Sequence, residues 1–363
     1  MNQEIKLKDL FELKYGSSLP EKTRINGSVL VFGSNGIVGS HNQAITKGKT
    51  IIVGRKGSIG KINFSEKSCF PIDTTYYIDE TKEPCNLKWL YFILKKLNLE
   101  SLNRAAAVPG LNRNDVYQKK IILPSIEKQN KTVEILEKSK KLKERSNNAN
   151  DLLDEYLKAI FNEMFLKEKN KFEKVTLKDI GKLSMGGTPS KSIKEYWENG
   201  TINWMKSGDI KGDFITSISN KITQKGFDKS NTTLYPKDTV VIALNGQGKT
   251  RGTTAILKIE TTSNQSVVGI MPDNKKILSE YLHYNLKLRY NELRRLTGDN
   301  ERSGLNLSIL RGFKMLLPPI QLQQKFAEIV EQVEKMKKNI NKTEQNGDEL
   351  FNSLMQKAFR GEL

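Results

Sequence analysis

Two cysteines and two histidines in 363 residues leave little for metal or redox chemistry. Cys69, Cys85, His41 and His283 cannot supply a zinc cluster or a disulfide framework, so a metal site would need carboxylates alone. No apolar run approaches the roughly 18 residues of a spanning helix. Residues 1–15 have neither a basic nor an apolar leader segment, so a soluble, cytoplasmic chain with no membrane partner is expected. Neither histidine adjoins a plausible nucleophile, and no Asn-Pro-Pro-aromatic methyltransferase tetrapeptide occurs.

Two imitations of catalytic motifs remain. Gln247-Gly248-Lys249-Thr250 looks like the end of a phosphate-binding loop, but Ala243 replaces its first glycine and a β-like run follows where a helix is needed. Asp73 and Glu80 loosely imitate the carboxylates of a metal nuclease. Their short spacing and the lack of a counterpart later in the chain favour a solvated strand edge.

What is present in excess is positive charge. Sixty Lys and Arg against 41 Asp and Glu give a formal net charge of +19, which favours a polyanionic partner such as nucleic acid or an anionic membrane surface. The excess is local. Residues 125–167 carry +1 and residues 320–363 carry 0, leaving +18 for the rest. The length suits two or three units, each able to bury its own core.

The chain also repeats itself. Leu7-Lys8-Asp9-Leu10 matches Leu177-Lys178-Asp179-Ile180 at an offset of 170. Gly110-Leu111-Asn112 matches Gly304-Leu305-Asn306, and Leu123-Pro124-Ser125-Ile126 matches Leu317-Pro318-Pro319-Ile320, both at an offset of 194; Gln129 and Gln323 keep that register. After each proline the apolar spacing turns helical: Ile126, Val133 and Leu136 in one copy, Ile320, Phe326, Ile329, Val333, Met336 and Ile340 in the other. Poor helix formers at residues 146–150 and at Asn346-Gly347 predict an interruption in each arm. Beyond it, Leu153, Tyr156, Leu157, Ile160 and Phe161 form one stripe, and Leu350, Leu354, Met355, Ala358 and Phe359 the other. Two such arms are expected to bury their stripes on each other as an antiparallel coiled coil.

Before each arm, short β-rich runs alternate with helical stretches, so each head reads as mixed α/β. Strands are expected near residues 28–32, 50–53 and 74–78, then 239–244, 253–259 and 266–271; helices near 87–97 and 279–296 follow in the same order. Gly54-Arg55-Lys56-Gly57-Ser58-Ile59-Gly60 lies between two strands of the first head, and Asn245 to Gly252 at the corresponding place in the second. Such loops let backbone approach a partner and offer side chains that contact phosphates and base edges. The alternative is a plain exposed basic hairpin. The expected division is a head at 1–124, an arm at 125–167, a head at 168–318 and an arm at 319–363, a pseudo-twofold internal repeat.

Further motifs make the chain resemble the DNA-specificity subunit of type I restriction-modification systems. They are Gly186-Gly187-Thr188-Pro189-Ser190, Glu195-Tyr196-Trp197, Ile202-Asn203-Trp204, Ser207-Gly208-Asp209-Ile210 and the terminal Ala358-Phe359-Arg360-Gly361-Glu362-Leu363. The first head departs from this pattern, with Gly16-Ser17-Ser18-Leu19-Pro20 and no tryptophan pair. The resemblance implies two target-recognition domains, each reading half of an interrupted double-stranded DNA site in the major groove. It also implies arms that set the spacer and dock two adenine methyltransferase subunits. The chain itself would be non-catalytic and hold no cofactor; S-adenosylmethionine, ATP and Mg would belong to methyltransferase and restriction subunits. Candidate DNA contacts are Arg55, Lys56 and Ser58, with Ser34 and Asn35, in the first head. In the second they are Thr188, Ser190, Lys206, Ser207, Asn245, Gln247, Lys249 and Arg251; for each, a solvated or turn-forming role is the alternative. Leu153, Leu157, Leu350 and Leu354 are candidates for arm packing or partner docking. The competing classes are a stand-alone metal-dependent DNA nuclease and a coiled-coil scaffold that binds no DNA.

Overall fold

The computed structural model describes residues 3–102, 110–246, 248–296 and 305–360. Their contacts divide the chain into two units, Met1–Asn147 with Asn341–Leu363, and Asn148–Ile340.

The sequence repeats meet in space at the base of each head. Strand Gln3–Lys6 pairs antiparallel with Lys120–Leu123, and Glu173–Thr176 pairs with Lys314–Leu317. The register is the same in both, Gln3 opposite Leu123 and Glu173 opposite Leu317. A one-turn helix follows each first strand, Leu7–Leu10 and Leu177–Ile180, and buries both of its leucine or isoleucine ends. Each two-stranded clasp thus closes a head and delivers the chain into an arm.

Each head holds two sheets of matching order. In the first, Lys14–Tyr15, Thr75–Ile78, Thr50–Gly54 and Ile62–Ser65 lie side by side; in the second the order is Gly181–Met185, Val267–Pro272, Val240–Ala243 and Thr254–Leu257, with Phe214–Ile215 added at the edge. The smaller sheets are Gly36–His41, Val29–Gly33 and Phe70–Pro71, and Lys221–Ile222, Ile202–Met205 and Thr262–Ser263. The central strands Thr50–Gly54 and Val240–Ala243 are buried along their whole length, which is why they read as unbroken β-branched runs instead of alternating ones. Helices Leu87–Lys96 and Ser279–Leu288 cover these sheets; the second continues as Tyr290–Arg295 after a break at Arg289.

The arms are Ile126–Phe161, continued by the π-helical turn Asn162–Leu166, and Ile320–Arg360. Within the first unit they run antiparallel: Lys143 pairs with Asp348 at 2.6 Å, and Ser139 Oγ donates to the Gly347 carbonyl at 3.3 Å. Within the second unit Lys337 pairs with Asp154 at 2.7 Å, in the same antiparallel sense. The expected interruptions do not occur, and both helices run through residues 146–150 and Asn346-Gly347. One glycine costs a helix about 1 kcal/mol; packing along a partner helix readily outweighs that.

Other expectations also shift. Ile126, Met336, Tyr156 and Leu350 belong to the expected buried stripes, yet they are 45%, 45%, 47% and 55% exposed. In the second arm Leu354 is half-buried, as its place in the expected stripe requires, and the covered face continues through Phe351 and Gly347 instead of Leu350, with Phe351 against Phe92 at 6.5 Å. Leu153 is half-buried and Leu157 fully buried; the side chains of Met355, Ala358 and Phe359 lie outside the described residues.

In the second unit both arms enter one core with the head. Phe161, Phe165, Tyr281 and Phe326 are fully buried together, with ring centroids 4.7–5.6 Å apart. At about 1.5–3 kcal/mol for each large apolar side chain buried, this knot is a major tether of arms to head.

Candidate nucleic-acid interface

Both glycine-rich loops are closed in the same way. Gly54 N–H donates to the Lys61 carbonyl and Gly60 N–H to the Gly54 carbonyl, each at 2.8 Å. In the second head Ala243 N–H donates to Thr253 at 3.0 Å and Gly252 N–H to Ala243 at 2.9 Å. Gly60 and Gly252 take positive φ, +73° and +86°, a conformation that favours glycine. The repeated Leu-Asn pairs bond to these loops from beneath. Leu111 N–H donates to the Arg55 carbonyl at 2.9 Å and Leu305 N–H to the Leu244 carbonyl at 3.1 Å. The next residue of each copy, Asn112 or Asn306, accepts from backbone N–H groups of the short helix it caps. Gly304 lies outside the described residues.

In the first head the turn bearing Ser34 and Asn35 comes against this loop. Ser34 Oγ lies 3.3 Å from where a Cβ of Gly57 would be, and Lys61 Nζ donates to Asn35 Oδ1 at 2.6 Å. Lys56 is exposed, while Ser58 and Arg55 are half-buried. Arg55 holds the loop down: Nε and Nη2 donate to the Asp73 carbonyl at 3.2 and 2.6 Å, and its guanidinium lies over Tyr15 and Tyr76, 5.3 and 5.9 Å from their centroids. Burial, helped by the neighbouring Tyr15, pushes the Tyr76 hydroxyl up to about 12.

The second head uses other devices. Thr188 Oγ1 donates to Gln265 Oε1 at 2.6 Å, and Ser190 Oγ lies 2.9 Å from Ser192 Oγ. The tryptophans pin this segment, Trp204 Nε1 donating to the Gly187 carbonyl and Trp197 Nε1 to the Ser190 carbonyl, both at 3.0 Å. Their rings meet edge to face at 4.9 Å. The first head manages without them. Gly16 and Gly186 are equivalent tight packing points, and a Cβ on either would come within 2.1 Å of a neighbour. Lys206 is exposed with Nζ over the Trp204 ring, and Ser207, half-buried, opens the 3-10 turn Ser207–Asp209. Asn245 and Lys249 are exposed and Arg251 is half-buried; Gln247 lies outside the described residues. Leu244 N–H donates to the Ser266 carbonyl, so the turn holding Gln265 joins the Thr188 segment to this loop.

Two residues that sequence reasoning missed hold the second loop. Tyr290 donates its hydroxyl to the Lys249 carbonyl at 2.8 Å, and Arg294 Nη1 donates to the carbonyls of Gly248 and Arg251 at 2.9 and 3.2 Å. Their signal is a run of polar residues on a helix some 40 residues downstream, and only folding brings it to the loop.

His283 has partners that the sequence does not place beside it. Thr254 Oγ1 lies 3.0 Å from His283 Nδ1, and Asp213 Oδ1 lies 3.0 Å from Nε2, the outline of a triad. Thr254 and His283 are buried in the protein interior. Asp213 also accepts from Lys287 at 2.6 and 2.9 Å and from Tyr284 at 3.2 Å. Burial favours its neutral form, but His283 and Lys287 outweigh burial and hold its carboxyl well below the usual carboxylate range. The cluster ties helix Ser279–Leu288 to its sheet. As for the nuclease imitation, Glu80 is engaged by Lys14 and Lys47, and no group of metal-ligating side chains occurs among the described residues. No helix of the described residues is long and apolar enough to cross a membrane.

Fold and loops together define a protein of two duplicated α/β heads on paired helical arms, each head presenting a glycine-closed polar loop. The chain belongs to the family of the type I restriction modification DNA specificity domain, whose model matches residues 2–151 and again 169–347. It is 30% identical over 169 residues to the EcoR124I/EcoR124II specificity subunit of Escherichia coli, covering 46% of this chain and 41% of that protein. It is 31% identical over 159 residues to the MjaIX specificity subunit of Methanocaldococcus jannaschii, covering 42% and 36%. The matches thus span only about two-fifths of those relatives' lengths. The fold is similar to that of the S subunit of the type I restriction-modification system from M. genitalium, with a TM-score of 0.69, 17% identity, and 99% and 96% of the two chains covered. A second structure, from work on complex assembly and conformational transition of the type I system, gives a TM-score of 0.57 at 17% identity, with 100% and 98% covered.

Proposed function

We propose that this chain is the non-catalytic DNA-specificity subunit of a type I restriction-modification enzyme, each head reading one half of a bipartite double-stranded site. The observation that carries this reading is the duplicated loop closure over a Leu-Asn base, in the parts of the sequence that hold the +18 excess. Lysine and arginine would draw in the phosphates, with affinity falling steeply as salt rises. Polar side chains on the loops would then read base edges in the major groove.

The functional division is a head at 1–124, an arm at 125–167, a head at 168–318 and an arm at 319–363. The arms set the gap between half-sites, and their exposed apolar residues, Leu350 among them, are surfaces for two adenine methyltransferase subunits. Those partners would bring S-adenosylmethionine, and restriction subunits ATP and Mg; the complex would work in the cytoplasm. Co-expression with a type I methyltransferase subunit, followed by genome-wide mapping of methylated adenines, is the test. Two fixed half-sites with a constant gap are expected. Methylation at one continuous motif, or cleavage of DNA by the purified chain with Mg, rejects the reading.

A further inference from the structure

The two heads are built alike but differ at one place. Strand and loop register make Tyr15 equivalent to Met185, Tyr76 to Val268, and Arg55 to Leu244, while the Gly-Leu-Asn repeat makes Arg113 equivalent to Leu307. In the second head these four positions are all apolar. Val268 and Leu244 are buried, Leu307 packs against the core, and Met185 is 37% exposed. In the first head the same four positions are two arginines and two tyrosines around a notch of about 340 Å³, which Lys56 and Asn112 also line.

We propose that this notch is a phosphate-binding site of the first head, formed by Arg113 and Lys56 against the fixed Arg55–Tyr15 wall, and that the four equivalent positions of the second head do not form one. The inference rests on the DNA-binding reading and names a contact within it. Arg55 is pinned by its two bonds to the Asp73 carbonyl, so its charge stays at the notch without moving. Arg113 is exposed, and its guanidinium lies over the same Tyr15 ring at 5.7 Å. Lys56 is exposed on the loop beside it. None of the described residues lining the notch carries a carboxylate. Two guanidiniums held on aromatic faces, with a lysine beside them in a concavity of this size, suit one tetrahedral oxyanion, and guanidinium forks match phosphate oxygens. The ligand class is a phosphodiester of the DNA backbone; a free phosphate shares the chemistry.

Salt-dependent binding of the full-length chain to a duplex carrying its mapped site, and to a random-sequence duplex, tests this. Arg113→Gln should make the slope of log affinity against log salt shallower by about one unit on both duplexes. Arg113→Lys should keep most of the slope, and melting temperature should be unchanged because the side chain is exposed. A neutral methylphosphonate scanned through the duplex should find one linkage, in the half-site of the first head, whose loss is not additive with Arg113→Gln. An unchanged slope overturns the notch. So does an effect confined to the specific duplex, which would make Arg113 a base reader. Inorganic phosphate binding that Arg113→Gln abolishes, with duplex binding untouched, also overturns it by assigning the site to a small anion. If the unsubstituted chain binds no duplex at all, the proposed function itself fails, and the notch with it.

Discussion

Gln129 and Gln323, 194 residues apart, are the same fully buried residue of two copies: each donates its side-chain amide to a proline carbonyl five residues earlier, at 2.8 Å, and accepts a backbone N–H through its Oε1, also at 2.8 Å. The N–H belongs to Asn86 in the first head and Leu278 in the second, the residue just before helix Leu87–Lys96 or Ser279–Leu288. One amide therefore fastens the first turn of each arm to its head.

Replacing either glutamine with leucine should destabilise its unit, because a buried carbonyl and N–H lose their partner at about 1–3 kcal/mol for each unsatisfied group. Differential scanning calorimetry reads this directly, and a melting temperature equal to that of the unsubstituted protein rejects the role.

Asp213 sets an acid limit. Its folded pKa is depressed, so the stability it contributes is present above the ordinary carboxylate range, near pH 4, and is lost as pH falls from there toward the folded value. Asp213→Asn should be less stable at pH 7, by about 3 kcal/mol if it behaves as a broken buried pair. Its stability should then fall less steeply below pH 4. Parallel urea titrations at pH 7 and pH 3 check the sign; equal slopes in the two proteins refute it.

Tyr290→Phe and Arg294→Gln release the carbonyls that hold the loop of the second head while leaving its side chains in place. Methylome mapping should show relaxed preference in one half-site and an unchanged other half. Relaxation of both halves, or of neither, counts against a positioning role.

Exchanging residues 1–124 for the head of another specificity subunit should alter one half-site alone. The readout is the modified motif after co-expression with the methyltransferase, and altered bases in both halves exclude independent reading.

Removing one helical turn from the first arm should change the number of unread base pairs while preserving both half-sites, since about 5.4 Å of helix is lost per turn. An unchanged gap in the methylated motif disproves the spacer role.

Much of this was legible in the sequence because duplication makes local signals count twice. The Leu-Lys-Asp, Gly-Leu-Asn and Leu-Pro repeats fall on structurally equivalent places, and the six expected strands are observed within a few residues of their expected ends. Local pattern misjudged the arms, where Asn and Gly signal a break that a partner helix overrides. It could not show the partners of His283, because Thr254 and Asp213 are 29 and 70 residues away.

The sequence by itself thus determined the internal repeat, the α/β heads, the long arms and the location of the basic loops, since each depends on periodicity, turn chemistry and charge along the chain. Only the tertiary structure decided how the loops are held and how the heads differ. Arg55 clamps its own loop, Tyr290 and Arg294 clamp the other, and the positions that form an aromatic, cationic notch in one head are apolar in the other. These depend on side chains distant in sequence, which strand register and helix packing bring within hydrogen-bonding distance.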